Sequence, residues 1–260
     1  MIVNLLKKFL NKPINKSQNH NFASSETNKR TQKNQNEYFI LANKEKIYIN
    51  RKIIWSPLPD NCFQKLKTKY LRHPTSIIIH SDNCLSSISS YNILSEERTS
   101  THFSIDSDGT IYQFVDCQYI AFHSGPSKED RKILTKNQIN IPKSFSWDVG
   151  TIGINIVNPF SIAYKKIQNR PIVNSKCQNI NLHHLGFFEQ QINSLAFLIK
   201  ILTDVFDIPL EHPNKTKFIK ECANGSFRGI MCHYHLMPNR IDCAGLDLVN
   251  LIKTAKETNE

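Results

Sequence analysis

Residues 229–245 read GIMCHYHLMPNRIDCAG. The stretch opens as a short apolar strand, meets His233, passes through a loop containing Pro238 and reaches Cys243, ten positions after the histidine. A strand end followed by a loop can bring two such side chains onto one metal ion. Neutral imidazole and thiolate are both good zinc ligands, and a catalytic zinc takes three protein groups while keeping one position open. The run SIIIH at 76–80 offers the third donor, since its β-branched residues predict a buried central strand that His80 closes. His235 lies two residues beyond His233 on the same strand face and is the rival ligand; Cys232 alternates to the opposite face and reads as core.

Working outward, Thr101–Val115 (THFSIDSDGTIYQFV) sets two alternating segments around Asp108-Gly109, a hairpin signal because that dipeptide tolerates positive φ. Thr151–Val157 (TIGINIV) predicts another strand, with Asn155 facing the same cleft as His80. Phe188–Phe206 is an amphipathic helix: Phe188, Ile192, Leu195, Ile199, Leu202 and Phe206 form one apolar stripe, and Pro209 stops it. Ser86–Glu97 and Leu246–Lys256 also read as helices. Residues 126–148 are polar and irregular and predict a surface loop, and 159–186 an excursion with His183 and His184 at the surface. Strands with intervening helices predict an α/β fold, a single mixed sheet flanked by helices, over residues 38–256.

The 260 residues carry 40% apolar side chains, enough for a sizeable core, and a net charge of +11. That charge suits an anionic partner. The lysines are scattered among Asn and Ile, with no basic helix face or aromatic-interleaved patch, so nucleic acid is not an expected partner. Seven cysteines, an odd number with irregular spacing and no CxxC pair, argue against a disulfide framework and for a reducing compartment. Residues 1–37 are rich in Asn, Lys, Gln and Ser and read as a flexible polar leader. Its first residues lack a clean apolar h-region, and no run reaches the ~18 apolar residues of a membrane span. A cytoplasmic location is expected, with non-standard export as the alternative.

Five blocks occur together in one order: SIIIH at 76–80, STHFSIDSDGTIYQFVD at 100–116, AFHSG at 121–125, TIGINIVNP at 151–159 and CHYHLMPNRIDCAG at 232–245. With the helix at 188–206, they resemble the zinc-dependent N-acetylmuramoyl-L-alanine amidases of the type-2 amidase family, which includes phage amidase-type lysozymes and peptidoglycan recognition proteins. The resemblance covers roughly residues 70–250. It implies zinc as cofactor, with His80, His233 and Cys243 as ligands. It implies hydrolysis of the amide between N-acetylmuramic acid and L-alanine, on peptidoglycan or muropeptide. It places His123 as a cleft histidine for proton transfer or oxyanion binding.

Two positions depart from the family pattern. Many enzymatic members read IGIE where this chain has Asn155, and many carry a Lys two residues before the last ligand, a position held here by Ile241. The Tyr that some members use instead of the Glu corresponds to Thr101. Asn155 is then left to orient water or a substrate carbonyl without acting as base. The alternative reading is a catalytically weak protein that binds peptidoglycan fragments in the same cleft.

Overall fold

The computed structural model describes residues 38–66 and 71–258; the polar leader expected over 1–37 lies outside them. In chain order the strands are β1 (Tyr38–Ala42), β2 (Glu45–Ile49), β3 (Ile53–Trp55), β4 (Phe63–Gln64), β5 (Ser76–Asp82), β6 (Phe103–Ile105), β7 (Ile111–Gln113), β8 (Ile120–Ala121), β9 (Thr151–Val157), β10 (Ile172–Cys177), β11 (Ile180–Leu185) and β12 (Gly229–Cys232). The helices are α1 (Ser87–Glu97), α2 (Lys128–Lys136), α3 (Trp147–Gly150), α4 (Lys165–Gln168), α5 (Glu189–Phe206), α6 (Lys220–Ala223), α7 (His233–Leu236) and α8 (Leu248–Glu257).

Six strands form the central sheet in the order β12-β5-β9-β6-β7-β3. β12, β5, β9 and β6 run parallel, β6 and β7 form the antiparallel Asp-Gly hairpin, and β3 joins β7 in parallel. The sheet is mixed, as the sequence predicts. Alternation gives its faces different characters. One carries Ile77, Ile79, Ile152, Ile154, Phe103 and Ile105, all fully buried. The other carries Ile78, His80, Asp82, Gly153, Asn155 and Ser104, and α1 meets its polar half through a Ser87–Ser104 hydroxyl contact of 2.9 Å.

α5 buries more of its circumference than the expected stripe. Leu198, Ile201 and Val205 are buried with Leu195, Ile199 and Leu202, while Ile192 and Phe206 are only half-buried.

Two segments differ from the sequence reading. Residues 126–148 contain α2, which starts in a capping box: the Ser127 hydroxyl accepts from the Asp130 backbone N–H at 3.1 Å, and the Asp130 carboxylate accepts from the Ser127 N–H at 3.0 Å. Its Leu134 packs with Ile139, Trp147, Ile78 and Met231 in one cluster. Few apolar residues among many charged ones hid that face. The excursion at 159–186 is also ordered, as the hairpin β10–β11. Within it His184 is buried rather than at the surface, stacked on Phe160 with centroids 4.4 Å apart; His183 is exposed as expected.

Candidate metal centre

Parallel pairing of β12 with β5 sets Cys232 opposite Ile79, so the next residues along, His233 and His80, come side by side at the carboxyl ends of the two strands. That end of a parallel sheet is where α/β folds gather functional groups. The imidazoles of His80 and His233 have centroids 4.7 Å apart.

The third member of the group is Asp242, not Cys243. One ligand atom each from His80, His233 and Asp242 lie within 4.8 Å of one another. Asp242 Oδ2 is 3.0 Å from His233 Nδ1 and 3.4 Å from His80 Nδ1. Donors bound at about 2.1 Å to a tetrahedral zinc lie about 3.4 Å apart, so spacing and donor chemistry both fit that ion. The carboxylate is held well below its ordinary pKa: burial alone would raise it, but the charge and hydrogen bond of His233, and then those of His80, outweigh burial. His80 shifts downward, chiefly by burial.

Cys243 turns the other way. Its residue has a left-handed φ of 71°, its backbone N–H donates to Ser81 Oγ at 3.0 Å, and its side chain is fully buried. Burial, then a hydrogen bond with Cys232, pushes its thiol well above the usual range. Asp242 faces the histidines, whereas the Cys243 thiol is buried beside Cys232. Sequence spacing could not tell 242 from 243, because the choice is made by how this loop packs against β5, where Ser81 Oγ accepts the Cys243 N–H.

The rival ligand His235 is excluded by the end of β12 at Cys232. His233–Leu236 form one helical turn, and His235 accepts from the Cys232 N–H at 3.0 Å while contacting the Lys215 carbonyl at 2.8 Å. It pins the turn that presents His233.

Asn155 lies opposite His80 in the β5–β9 register. Its amide does not reach toward the three donors. It donates to the Asp82 carboxylate and to Ser90 Oγ on α1, the latter at 3.0 Å. Asp82 is itself pushed above the usual carboxylate range by burial.

His123 also differs from the expected cleft residue. Its side chain is 1% exposed. It packs against His80 and lies flat over Gly153, where an added Cβ would come within 2.7 Å of its ring. A residue with no side chain at 153 opens the slot that the ring fills. Burial and the neighbouring His80 hold His123 well below the ordinary histidine pKa. His102 is an interior residue: Nδ1 accepts the Gly153 N–H at 3.0 Å and Nε2 contacts the Tyr119 carbonyl at 3.0 Å.

Sequence reasoning missed Asp242. Arg240 reaches across to α2, with a guanidinium nitrogen 3.7 Å from Asp130 Oδ1. Among the described residues, no helix is long and apolar enough to cross a membrane.

The chain is similar in fold to several solved structures. A mutant endolysin from Bacillus subtilis shares 18% identity, with 79% of this chain and 97% of that one covered at a TM-score of 0.44. The hydrolase AmiA of Staphylococcus aureus, in complex with its ligand, shares 11% identity over 79% of this chain and 83% of that one at a TM-score of 0.47. The N-acetylmuramoyl-L-alanine amidase LysC from Clostridium intestinale shares 16% identity over 81% and 100%, with a TM-score of 0.41. None of the curated proteins matches the chain.

The sequence profile of the N-acetylmuramoyl-L-alanine amidases matches residues 70–245. That span takes in β5, the Asp-Gly hairpin, β9 and β12, and it ends on the loop that delivers Asp242, so every element carrying the three donors lies inside the match and the chain belongs to the N-acetylmuramoyl-L-alanine amidase family.

Proposed function

We propose that this protein hydrolyses the amide between N-acetylmuramic acid and L-alanine in peptidoglycan or muropeptides, using a zinc ion held by His80, His233 and Asp242. The observation that carries this reading is the convergence of two imidazoles and one carboxylate at the ends of adjacent parallel strands. A zinc ion there would supply Lewis acidity at the scissile carbonyl. The net charge of +11 suits a substrate bearing carboxylates.

Taking Asp242 as the third donor also moves the cation position. The residue two places before it is Arg240, not Ile241. Arg240 is close enough to depress His80 electrostatically, and Asp130 anchors it. Its guanidinium is the group we assign to steadying developing negative charge on the carbonyl oxygen.

A second reading is favoured by one observation: the side chain at 155 is an amide already committed to Asp82 and Ser90. On that reading the protein binds peptidoglycan fragments with little or no turnover. Zinc-loaded protein incubated with a defined muropeptide decides between them, with His80→Ala as control. Release of stem peptide that vanishes in the control supports the amidase. Binding without release supports the second reading, and neither binding nor release overturns both.

A further inference from the structure

His123 stands behind His80, on the side away from Asp242. We infer that Thr151 and His123 are positioning residues: they fix His80 with its proton on Nε2 and its lone pair on Nδ1, aimed at the metal. The inference rests on reading His80, His233 and Asp242 as a zinc site.

Following the protons outward from the interior gives this result. Thr151 Oγ1 is 2.9 Å from the Trp147 carbonyl, which can only accept, so the single hydroxyl proton goes there. Thr151 Oγ1 is also 3.2 Å from His123 Nε2. With the hydroxyl proton committed, Nε2 must be the donor, and the Asp148 carboxylate 3.8 Å from the same nitrogen favours a proton there too. The His123 side chain is 1% exposed, where a charged ring would be costly, and a neutral imidazole with its one proton on Nε2 has Nδ1 as an acceptor.

His123 Nδ1 is 3.0 Å from His80 Nε2 and 2.9 Å from Ser124 Oγ, and Ser124 Oγ is 3.4 Å from His80 Nε2. His80 Nε2 therefore faces the acceptor nitrogen of His123 at 3.0 Å and, farther off at 3.4 Å, a Ser124 hydroxyl that can donate or accept. An unprotonated Nε2 would set two nitrogen lone pairs against each other at 3.0 Å. The proton belongs on Nε2, and Nδ1, the nitrogen 3.4 Å from Asp242, keeps its lone pair. Two lone-pair donors at that separation suit a shared cation. The tautomer of a metal-binding imidazole is set by the partner of its other nitrogen; here that partner is a second histidine, set in turn by a threonine on β9.

The arrangement also accounts for two small residues. Gly153 leaves room for the His123 ring, and Thr151, at the start of the same strand, faces its far nitrogen.

The test reads zinc affinity and proton position, not activity. In zinc-loaded wild-type protein, imidazole ¹⁵N shifts are expected to show His80 protonated at Nε2 and metal-bound through Nδ1; the reverse assignment overturns the inference. Competition with a chromophoric chelator is expected to show zinc held about 10- to 100-fold more weakly by His123→Leu and about 10-fold more weakly by Thr151→Val, the range for partners of a ligand. Thr151→Ser, which restores the hydroxyl, is expected to recover wild-type affinity. Equal affinity in wild type, His123→Leu and Thr151→Val overturns the inference, and so does a Thr151→Ser variant as weak as Thr151→Val. The wild-type shift measurement stands even if a variant fails to fold. A protein that shows these shifts and affinities but does not cleave muropeptide supports the relay while overturning the amidase reading.

Discussion

The Asn155 amide donates to the carboxylate of Asp82, and Asn155 lies directly opposite His80 in the sheet register. A carboxylate is thus present beside position 155, but it comes from β5 and is paired with the amide. Introducing an acid by Asn155→Glu is therefore expected to lower stability, not raise turnover. It removes the donor to Asp82 and to Ser90 and sets a like charge against an acid that burial already raises. A loss of about 2–3 kcal/mol in urea unfolding is expected. The double exchange Asp82→Asn with Asn155→Glu moves the carboxylate to β9 and should recover most of that loss. A double variant as unstable as the single one would show that the two side chains are not coupled.

Asp242 and Cys243 make opposite predictions for one loop. Asp242→Ala is expected to weaken zinc binding by more than about 100-fold, because even partners that only support a ligand are worth 10- to 100-fold. Cys243→Ser should leave zinc affinity near wild type. It should lower stability by about 1–3 kcal/mol, since it places a hydroxyl in a fully buried thiol site. Chelator competition and urea unfolding measure the two effects; zinc loss in Cys243→Ser instead would return the ligand role to the thiol.

Gly153→Ala tests the slot beneath His123. The added methyl would lie 2.7 Å from His123 Cγ, so ring or strand must shift, at a cost of about 1–3 kcal/mol. Zinc affinity should fall with it, because a displaced His123 no longer holds His80. A variant with wild-type unfolding midpoint and zinc affinity would mean the ring has room to spare.

Acid should destabilise the metal-free protein. His80, His102 and His123 all have folded pKa values below the ordinary histidine range, in each case chiefly through burial. Below about pH 6.5 the unfolded chain binds protons at these positions that the folded protein refuses, so stability falls as pH drops. Asp148 works against this. Burial raises it to about 6, so its contribution favours folding at low pH and is lost as pH rises from its ordinary value through about 6. Asp82, also raised by burial, adds to Asp148, and His235, lowered to about 4 chiefly by burial, adds to the histidines. Four histidines outweigh two carboxylates, and each unbalanced proton is worth about 1.4 kcal/mol per pH unit. Urea midpoints in chelator should fall between pH 7.5 and 5.5; an unchanged or rising midpoint would refute the balance.

Much of this architecture was legible in the sequence. The runs at 76–80 and 151–157 are β-branched and too short for helices, the Asp108-Gly109 turn specifies a hairpin, and the 188–206 stripe has helical spacing. These signals are local: they depend on neighbours within a few residues. α2 was not legible, because its few apolar residues matter only against Trp147 and Met231, brought from elsewhere in the chain.

The sequence by itself determined the strands at 76–80 and 151–157, the Asp-Gly hairpin, the long helix, the order of the five blocks and the two histidines at strand ends, since each is fixed by short-range periodicity or turn chemistry. Only the tertiary structure decided which side chain completes the group, where His123 points and what Asn155 holds. Those outcomes depend on how the 242–243 loop packs against Ser81 of β5, on the space left by Gly153 beneath an imidazole, and on β5 lying beside β9 so that Asp82 takes up the Asn155 amide. Each is a contact or reversal set by packing between distant segments, and residue spacing along the chain carries no record of it.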